Sequence, residues 1–197
     1  MPFTDDSTVV VEQVGDEDWK VRERLEYLGR YDRFTVPVGM VTDFASVPRA
    51  FVWFLPRYGA YTMAAILHDY LWRDLAATGE MRWVDADGIF RRAMRELRVP
   101  FLRRWIMWAA VRWGALTKPR GREGWLGESW RVLLFTLLSL PFVAPPALLI
   151  LVALAAFFVL ELLLWVPIKL TELARRRAGR APRKQVNMPS LDLKTTR

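Results

Sequence analysis

The sequence contains no cysteine and a single histidine. The first absence excludes a disulfide scaffold, a thiol nucleophile and any Cys-ligated zinc site. The second excludes a zinc site built from several imidazoles. No phosphate-binding loop, dinucleotide fingerprint or nucleic-acid-binding motif is present. The opening MPFTDDSTVVVEQV has neither a basic n-region nor an apolar h-region, so no secretory leader is expected there. Eleven glycines and twelve prolines are too few for a collagen-like or low-complexity chain, and 53% hydrophobic residues exclude disorder throughout.

The net charge of +8 resembles a nucleic-acid signal until it is divided along the chain. Residues 1–130 carry 19 Lys and Arg against 18 Asp and Glu, whereas residues 131–197 carry 10 against 3. A DNA-binding domain holds its positive charge on a folded face. Here the charge flanks a long apolar block, so no nucleic-acid partner is expected, and the basic tail at 170–197 points to the anionic headgroups of a membrane.

That block, residues 132–168, contains one ionisable residue, Glu161. A helix needs roughly 20 residues to cross about 30 Å of hydrocarbon, and this run is nearly twice that long. Pro141, Pro145 and Pro146 interrupt it near its first third. Two topologies follow. In one, residues 131–169 form a transmembrane helical hairpin turned at Pro145–Pro146; in the other, only 147–168 crosses and the preceding segment lies at the interface. Flanking charge favours the hairpin: Lys118, Arg120, Arg122 and Arg131 precede the block, and Lys169, Arg175, Arg176, Arg177, Arg180, Arg183 and Lys184 follow it. Basic residues on both flanks place both on the cytoplasmic side of a bacterial inner membrane, the soluble domain with them.

Residues 1–118 read as a soluble α+β domain, a small antiparallel sheet followed by three helices, joined to the membrane segment by a basic, Trp-rich linker at 119–130. Residues 8–14 and 19–28 flank the acidic turn Gly15, Asp16, Glu17, Asp18 and read as a hairpin, with 33–38 as a third strand. Helical periodicity then places Ala64, Ala65, His68, Leu71 and Trp72 on one face of a helix over 58–75. Ala86, Ile89, Phe90, Ala93, Met94 and Leu97 share a face of another over 83–98. A third helix follows Pro100, with Leu102, Trp105, Ile106, Ala109, Trp113 and Leu116 in line. Five of the ten tryptophans fall within residues 105–130, interspersed with arginines. They suit a helix resting on lipid headgroups and equally suit core packing in a small domain. The stretch after Arg175 reads as disordered.

Chemistry must come from a few polar residues in apolar company. In PVGMVTDFASVPR, Asp43 follows a strand and a glycine turn, and Ser46 precedes Pro48, where it is placed to cap a helix. In AAILHDYLW, His68 lies over the small residues Ala64 and Ala65, with Asp69 on the adjacent side. Asp87 sits near the start of the next helix, where the dipole favours a negative charge.

These motifs together resemble the phage and bacterial family catalogued as domain of unknown function 1353. TDFASVPR at 42–49, HDYLW at 68–72 and ADGIFRRAM at 86–94 occur in the family's order, and the likeness covers about residues 19–114. Carried over position by position, the family's polar set falls on Thr42, Asp43, Ser46, Arg49, His68, Asp69 and Asp87. Trp72 departs from the usual Tyr and removes a hydroxyl. The resemblance implies a phage or prophage setting and no particular reaction.

Asp43, Ser46, His68, Asp69 and Asp87 are therefore the candidate catalytic set. One arrangement is acid–base or metal-assisted hydrolysis, with Asp43, His68 and Asp87 as ligands if a divalent ion is bound. A Ser46, His68 and carboxylate triad ranks below it, for no nucleophile-elbow glycines surround Ser46. Two functions stay open: a membrane-tethered hydrolase, and a non-enzymatic membrane-anchored binding or assembly module that offers its Arg-rich helix to a protein partner.

Overall fold

The computed structural model describes residues 3–4, 8–30, 32–45, 47–179 and 187–190. Strands β1 (Val11–Gln13) and β2 (Trp19–Val21) form the expected hairpin, closed where the Val14 and Gly15 N–H groups donate to the Asp18 carbonyl at 2.9 and 3.3 Å. The expected strand over 19–28 is broken. An unbroken strand would alternate Val21, Glu23, Leu25 and Tyr27 toward one face, burying the Glu23 carboxylate among apolar side chains. Instead the chain bends through Arg22, Glu23 and Arg24, all exposed, and restarts as β3 (Leu25–Leu28).

The result is two small antiparallel sheets. β2 pairs on its other edge with β5 (Val41–Thr42), while β3 pairs with β4 (Arg33–Val36) in the register Leu25 opposite Val36 and Tyr27 opposite Phe34. Leu25, Tyr27 and Val36 turn inward, and their neighbours Glu26, Leu28 and Thr35 are more open to solvent.

A 3-10 turn (Arg49–Phe51) leads into α1 (Thr62–Tyr70), which continues through a π-helical turn (Leu71–Leu75) into α2 (Ala76–Thr78). Gly79, at φ +89°, ends α2 with the left-handed conformation that glycine adopts without steric cost. α3 (Trp83–Glu96) buries Ala86, Ile89, Phe90, Ala93 and Met94, the face expected from its periodicity. These side chains meet Leu67 and Leu71 in one core beneath the sheets.

α4 (Phe101–Ala115) corrects the expected stripe. Leu102 and Trp113 are exposed, while Met107, Trp108 and Arg112 are buried beside Ile106 and Ala109. The helix is covered on two sides: Ile106 and Met107 join the main core, whereas Trp108 and Ala109 face α5.

α5 (Trp125–Arg177) is one continuous helix of 53 residues, about 80 Å long. It replaces the expected hairpin. Pro141, Pro145, Pro146 and Pro167 all lie inside it. A turn at Pro145–Pro146 would free backbone N–H and C=O groups in a stretch with almost no polar side chains to receive them, whereas a continuous helix loses only the bonds the prolines themselves remove. Its foot is fixed to α4 by Val132 and Phe135 against Trp105, Trp108 and Ala109, with Phe135 stacked on Trp105 at 4.7 Å. The 3-10 turn at Arg49–Phe51 also lies against it. Beyond this contact the apolar run is almost wholly uncovered, so it is not the core helix of the head, and it is long and apolar enough to cross a membrane. The helix ends at Arg177; most of the tail expected to be disordered lies outside the described residues.

Candidate functional site

The loop after β5 and the middle of α1 deliver the sequence motifs to one cavity of about 660 Å³, walled by Phe44, Val47, Trp72, Phe90 and Met107 and carrying His68 and Asp69 on its lining. The loop is shaped by Thr42, whose fully buried hydroxyl accepts from the Phe44 N–H at 2.9 Å and donates to Asp69 Oδ2 at 2.6 Å. Phe44 holds φ +62°, a sparsely occupied conformation for a residue with a Cβ. The π-helical turn begins two residues after Asp69 and swings Arg73 onto Asp43, Nη2 to Oδ1 at 2.7 Å.

Burial and the nearby Asp43 push the Asp69 carboxyl up to about 7, against the opposing pull of Arg73, the Thr42 hydroxyl and His68. A carboxyl in that range is protonated for part of the time near neutrality and can give up a proton there.

A second network lies behind His68. Asp87 is fully buried and faces three nitrogen groups among the described residues: His68 Nε2 at 2.8 Å and Trp72 Nε1 at 3.0 Å on Oδ1, and Arg112 Nη1 at 2.9 Å on Oδ2. Paired with a guanidinium, Asp87 is a carboxylate and only accepts, so the imidazole proton resides on Nε2. Nδ1 is then the basic nitrogen, and no described residue hydrogen-bonds to it. Arg112 is itself fully buried and reaches Glu128 on α5, Nε to Oε2 at 3.1 Å, an ion pair without hydrogen-bond alignment. Burial raises the Glu128 carboxyl above its ordinary range, with Arg112 pulling it down. A line of charge thus runs from the foot of α5 through Arg112 and Asp87 to His68.

The structure brings Asp87 to His68, and Asp43 and Thr42 to the side of Asp69. It does not gather Asp43, His68 and Asp87 as ligands: among the described residues no three His, Asp or Glu side chains form a group able to hold a metal ion. Asp43 and Asp87 are instead occupied by arginines. Asp87 does not act through the helix dipole, as its position near the N-terminus suggested, but through buried ion pairing. Ser46 lies outside the described residues. Arg49 forms the 3-10 turn beside α5. Arg112, Trp72, Arg73 and Glu128 were missed from sequence. For Arg112 there was a signal, an arginine four residues after Trp108 and three after Ala109, on a face that needs a carboxylate partner once it is covered. Trp72, where the family usually has Tyr, supplies an N–H donor to Asp87 in place of a hydroxyl.

Residues 19–111 match the family model described as a protein of unknown function, DUF1353. Residues 19–111 are a DUF1353 domain. That match spans β2 through most of α4, including the Thr42 and Asp69 pair and the His68 and Asp87 pair, and leaves α5 outside. No curated protein and no solved structure matches the chain.

Proposed function

We propose that this chain is a membrane-anchored hydrolase of acid–base type, with its site in the DUF1353 cavity and α5 as its anchor. The observation that carries the reading is the pairing of His68 with Asp87, which leaves Nδ1 basic on a helix whose next residue, Asp69, has its carboxyl raised to about 7. Two groups of opposite task, one accepting and one donating, then line one apolar cavity. His68 Nδ1 takes a proton from water as its oxygen attacks the scissile bond, and Asp87 stabilises the imidazolium that forms. Asp69 gives its proton to the departing group. Arg112, fully buried beside Asp87, pairs with it from the side opposite the imidazole.

The anchor reading rests on the uncovered apolar surface of α5, followed by Lys169, Arg175, Arg176 and Arg177 on the side of the basic tail, which suits anionic headgroups. A continuous helix that crosses once separates head and tail by the bilayer. On this reading head and tail lie on opposite sides, whereas the flanking charge favours an even number of crossings with both on the cytoplasmic side.

The competing reading, a non-enzymatic membrane-anchored module, draws on Asp43 and Asp87, each committed to an arginine that ties two elements together. Full-length protein in detergent, assayed on p-nitrophenyl carboxylate, phosphate monoester and phosphate diester substrates, separates the two. Hydrolysis by the wild type that falls roughly 10²–10⁴-fold in His68→Gln, with unfolding unchanged, supports the hydrolase. Turnover equal in both proteins, or absent from the wild type on all three bond types, overturns it in favour of the module.

A further inference from the structure

A second cavity of about 850 Å³ lies between α3, α4 and the foot of α5 and is lined by Arg91, Arg95 and Arg104 together with Phe101 and Trp105. Four carboxylates line the same cavity, and three of them are ion-paired to other arginines. Asp32 holds Arg92 at 2.5 Å, Asp85 holds Arg82 at 2.9 Å and Glu128 holds Arg112 at 3.1 Å, while Glu80 accepts the Thr78 hydroxyl at 3.1 Å. Among the described residues none of Arg91, Arg95 and Arg104 has an ion-pair partner. Arg91 is the most confined of them. Its guanidinium lies 4.2 Å from the centre of the Trp105 ring and 5.6 Å from that of Trp108, and its buried Nε has no acceptor. Arg104 is placed over Phe101 at 5.1 Å and otherwise reaches only the Val99 carbonyl, at 3.5 Å.

Stacking on aromatic faces fixes the planes of two guanidinium groups and leaves their N–H edges to be satisfied by something else. Burial lowers the Arg91 guanidinium, and Arg131, Arg95 and Arg104 press in the same direction while Glu128 opposes them. Arg91 and Arg95 on α3 and Arg104 on α4 thus converge without an ion-pair partner of their own among the described residues, and Glu128 offsets part of the charge on Arg91. A planar fork of donors held in this way matches a phosphate oxygen pair.

We propose that the cavity walled by Arg91, Arg95 and Arg104 binds the phosphate group of a phosphate ester. The site is separate from the His68 cavity and does not depend on the hydrolase reading. Two sources carry this chemistry, a phospholipid headgroup in the bilayer that α5 is apolar enough to enter and a soluble phosphate ester.

The test uses the full-length chain in micelles of a phosphate-free alkyl maltoside and follows its thermal unfolding midpoint. Three additions are compared at matched ionic strength: inorganic phosphate, sodium chloride, and replacement of part of the detergent by phosphatidylglycerol. A bound anion raises the midpoint by about 3–6 °C at a concentration tenfold above its Kd, and chloride leaves it in place. A rise with phosphatidylglycerol alone identifies a lipid headgroup, and a rise with inorganic phosphate identifies a soluble ester. Either rise disappears in Arg91→Gln and Arg104→Gln and survives in Arg24→Gln, a solvent-facing arginine away from the cavity. If Arg91→Gln does not fold, Arg91→Lys keeps the charge, loses the stacked fork and shows a reduced rise. No rise with either anion, or a rise that persists in the cavity variants, overturns the proposal.

Discussion

Asp87 and His68, nineteen residues apart on two helices, meet through Oδ1 and Nε2 at 2.8 Å, and that contact sets which imidazole nitrogen is free. Since the chain has only one histidine, the assignment is directly measurable. In ¹⁵N NMR of the labelled protein with the imidazole neutral, the single ring should show a protonated Nε2 and an unprotonated Nδ1. The opposite tautomer, or an even mixture, would remove the base from the proposed mechanism.

The same contact predicts an ordering of stabilities. Asp87→Ala leaves Arg112 buried with the partly exposed Glu128 as its remaining carboxylate, and breaking a buried pair by removing one partner costs about 3–5 kcal/mol. His68→Ala leaves Asp87 its bonds to Arg112 and Trp72, so its cost should be near the 1 kcal/mol of an ordinary hydrogen bond plus the lost ring contact with Phe90. Chemical denaturation of the two variants should therefore place Asp87→Ala well below His68→Ala. Equal losses would mean that the network is not centred on Asp87.

Asp69 makes stability depend on pH in a definite direction. Its carboxyl titrates near 3.8 when unfolded and about 7 when folded. Below both values it is protonated in both states and contributes nothing. As pH rises from about 4 to 7 the unfolded chain gives up the proton and the folded one keeps it, so stability falls, then levels off above 7. The shift corresponds to a loss on the order of a few kcal/mol. Asp69→Asn keeps an acceptor for the Thr42 hydroxyl and removes the titration. Unfolding curves at pH 5 and pH 8 should lie closer together for the variant than for the wild type. An unchanged gap would place the raised group elsewhere.

These features differ in how far they could be read from the chain. The buried face of α3 was legible because five apolar residues recur at helical spacing. The break after Val21 was also written there, in the one charged residue, Glu23, that a continuous strand would have turned inward. The partner of Asp87 was not, for Arg112 stands 25 residues away on another helix and a local reading offers the helix dipole instead. The π-helical turn was hidden as well, since nothing in LWRDL departs from helical composition. The proline pair at 145–146 misled in the other direction. Its local preference for a turn yielded to the need of an apolar segment to keep its backbone bonded.

The continuous α5 gives a topological expectation. Reporters fused before residue 1 and after residue 197 should read opposite sides of the membrane if the helix crosses once. Reporters on the same side would restore the hairpin and, with it, the head and the basic tail in one compartment.

Gly121 tests how α5 is delivered to α4. A Cβ at this position would lie 2.4 Å from the Ala115 carbonyl oxygen, a backbone atom at the end of α4 that cannot rotate away. The 3-10 turn at Arg120–Arg122 is therefore pressed against the helix it follows, and this closeness lets the Arg112 Nη2 donate to the Glu123 carbonyl at 3.3 Å. Gly121→Ala must push the turn outward, at a cost of about 1–3 kcal/mol for an overpacked contact. Because the turn leads into α5, the shift should carry Glu128 away from Arg112 and loosen the line of charge that ends at His68. The variant should unfold earlier, and the ¹⁵N signal of His68 should move although the substitution lies on the far side of Asp87. An unshifted imidazole in a destabilised protein would show that the helix foot and the cavity are mechanically independent.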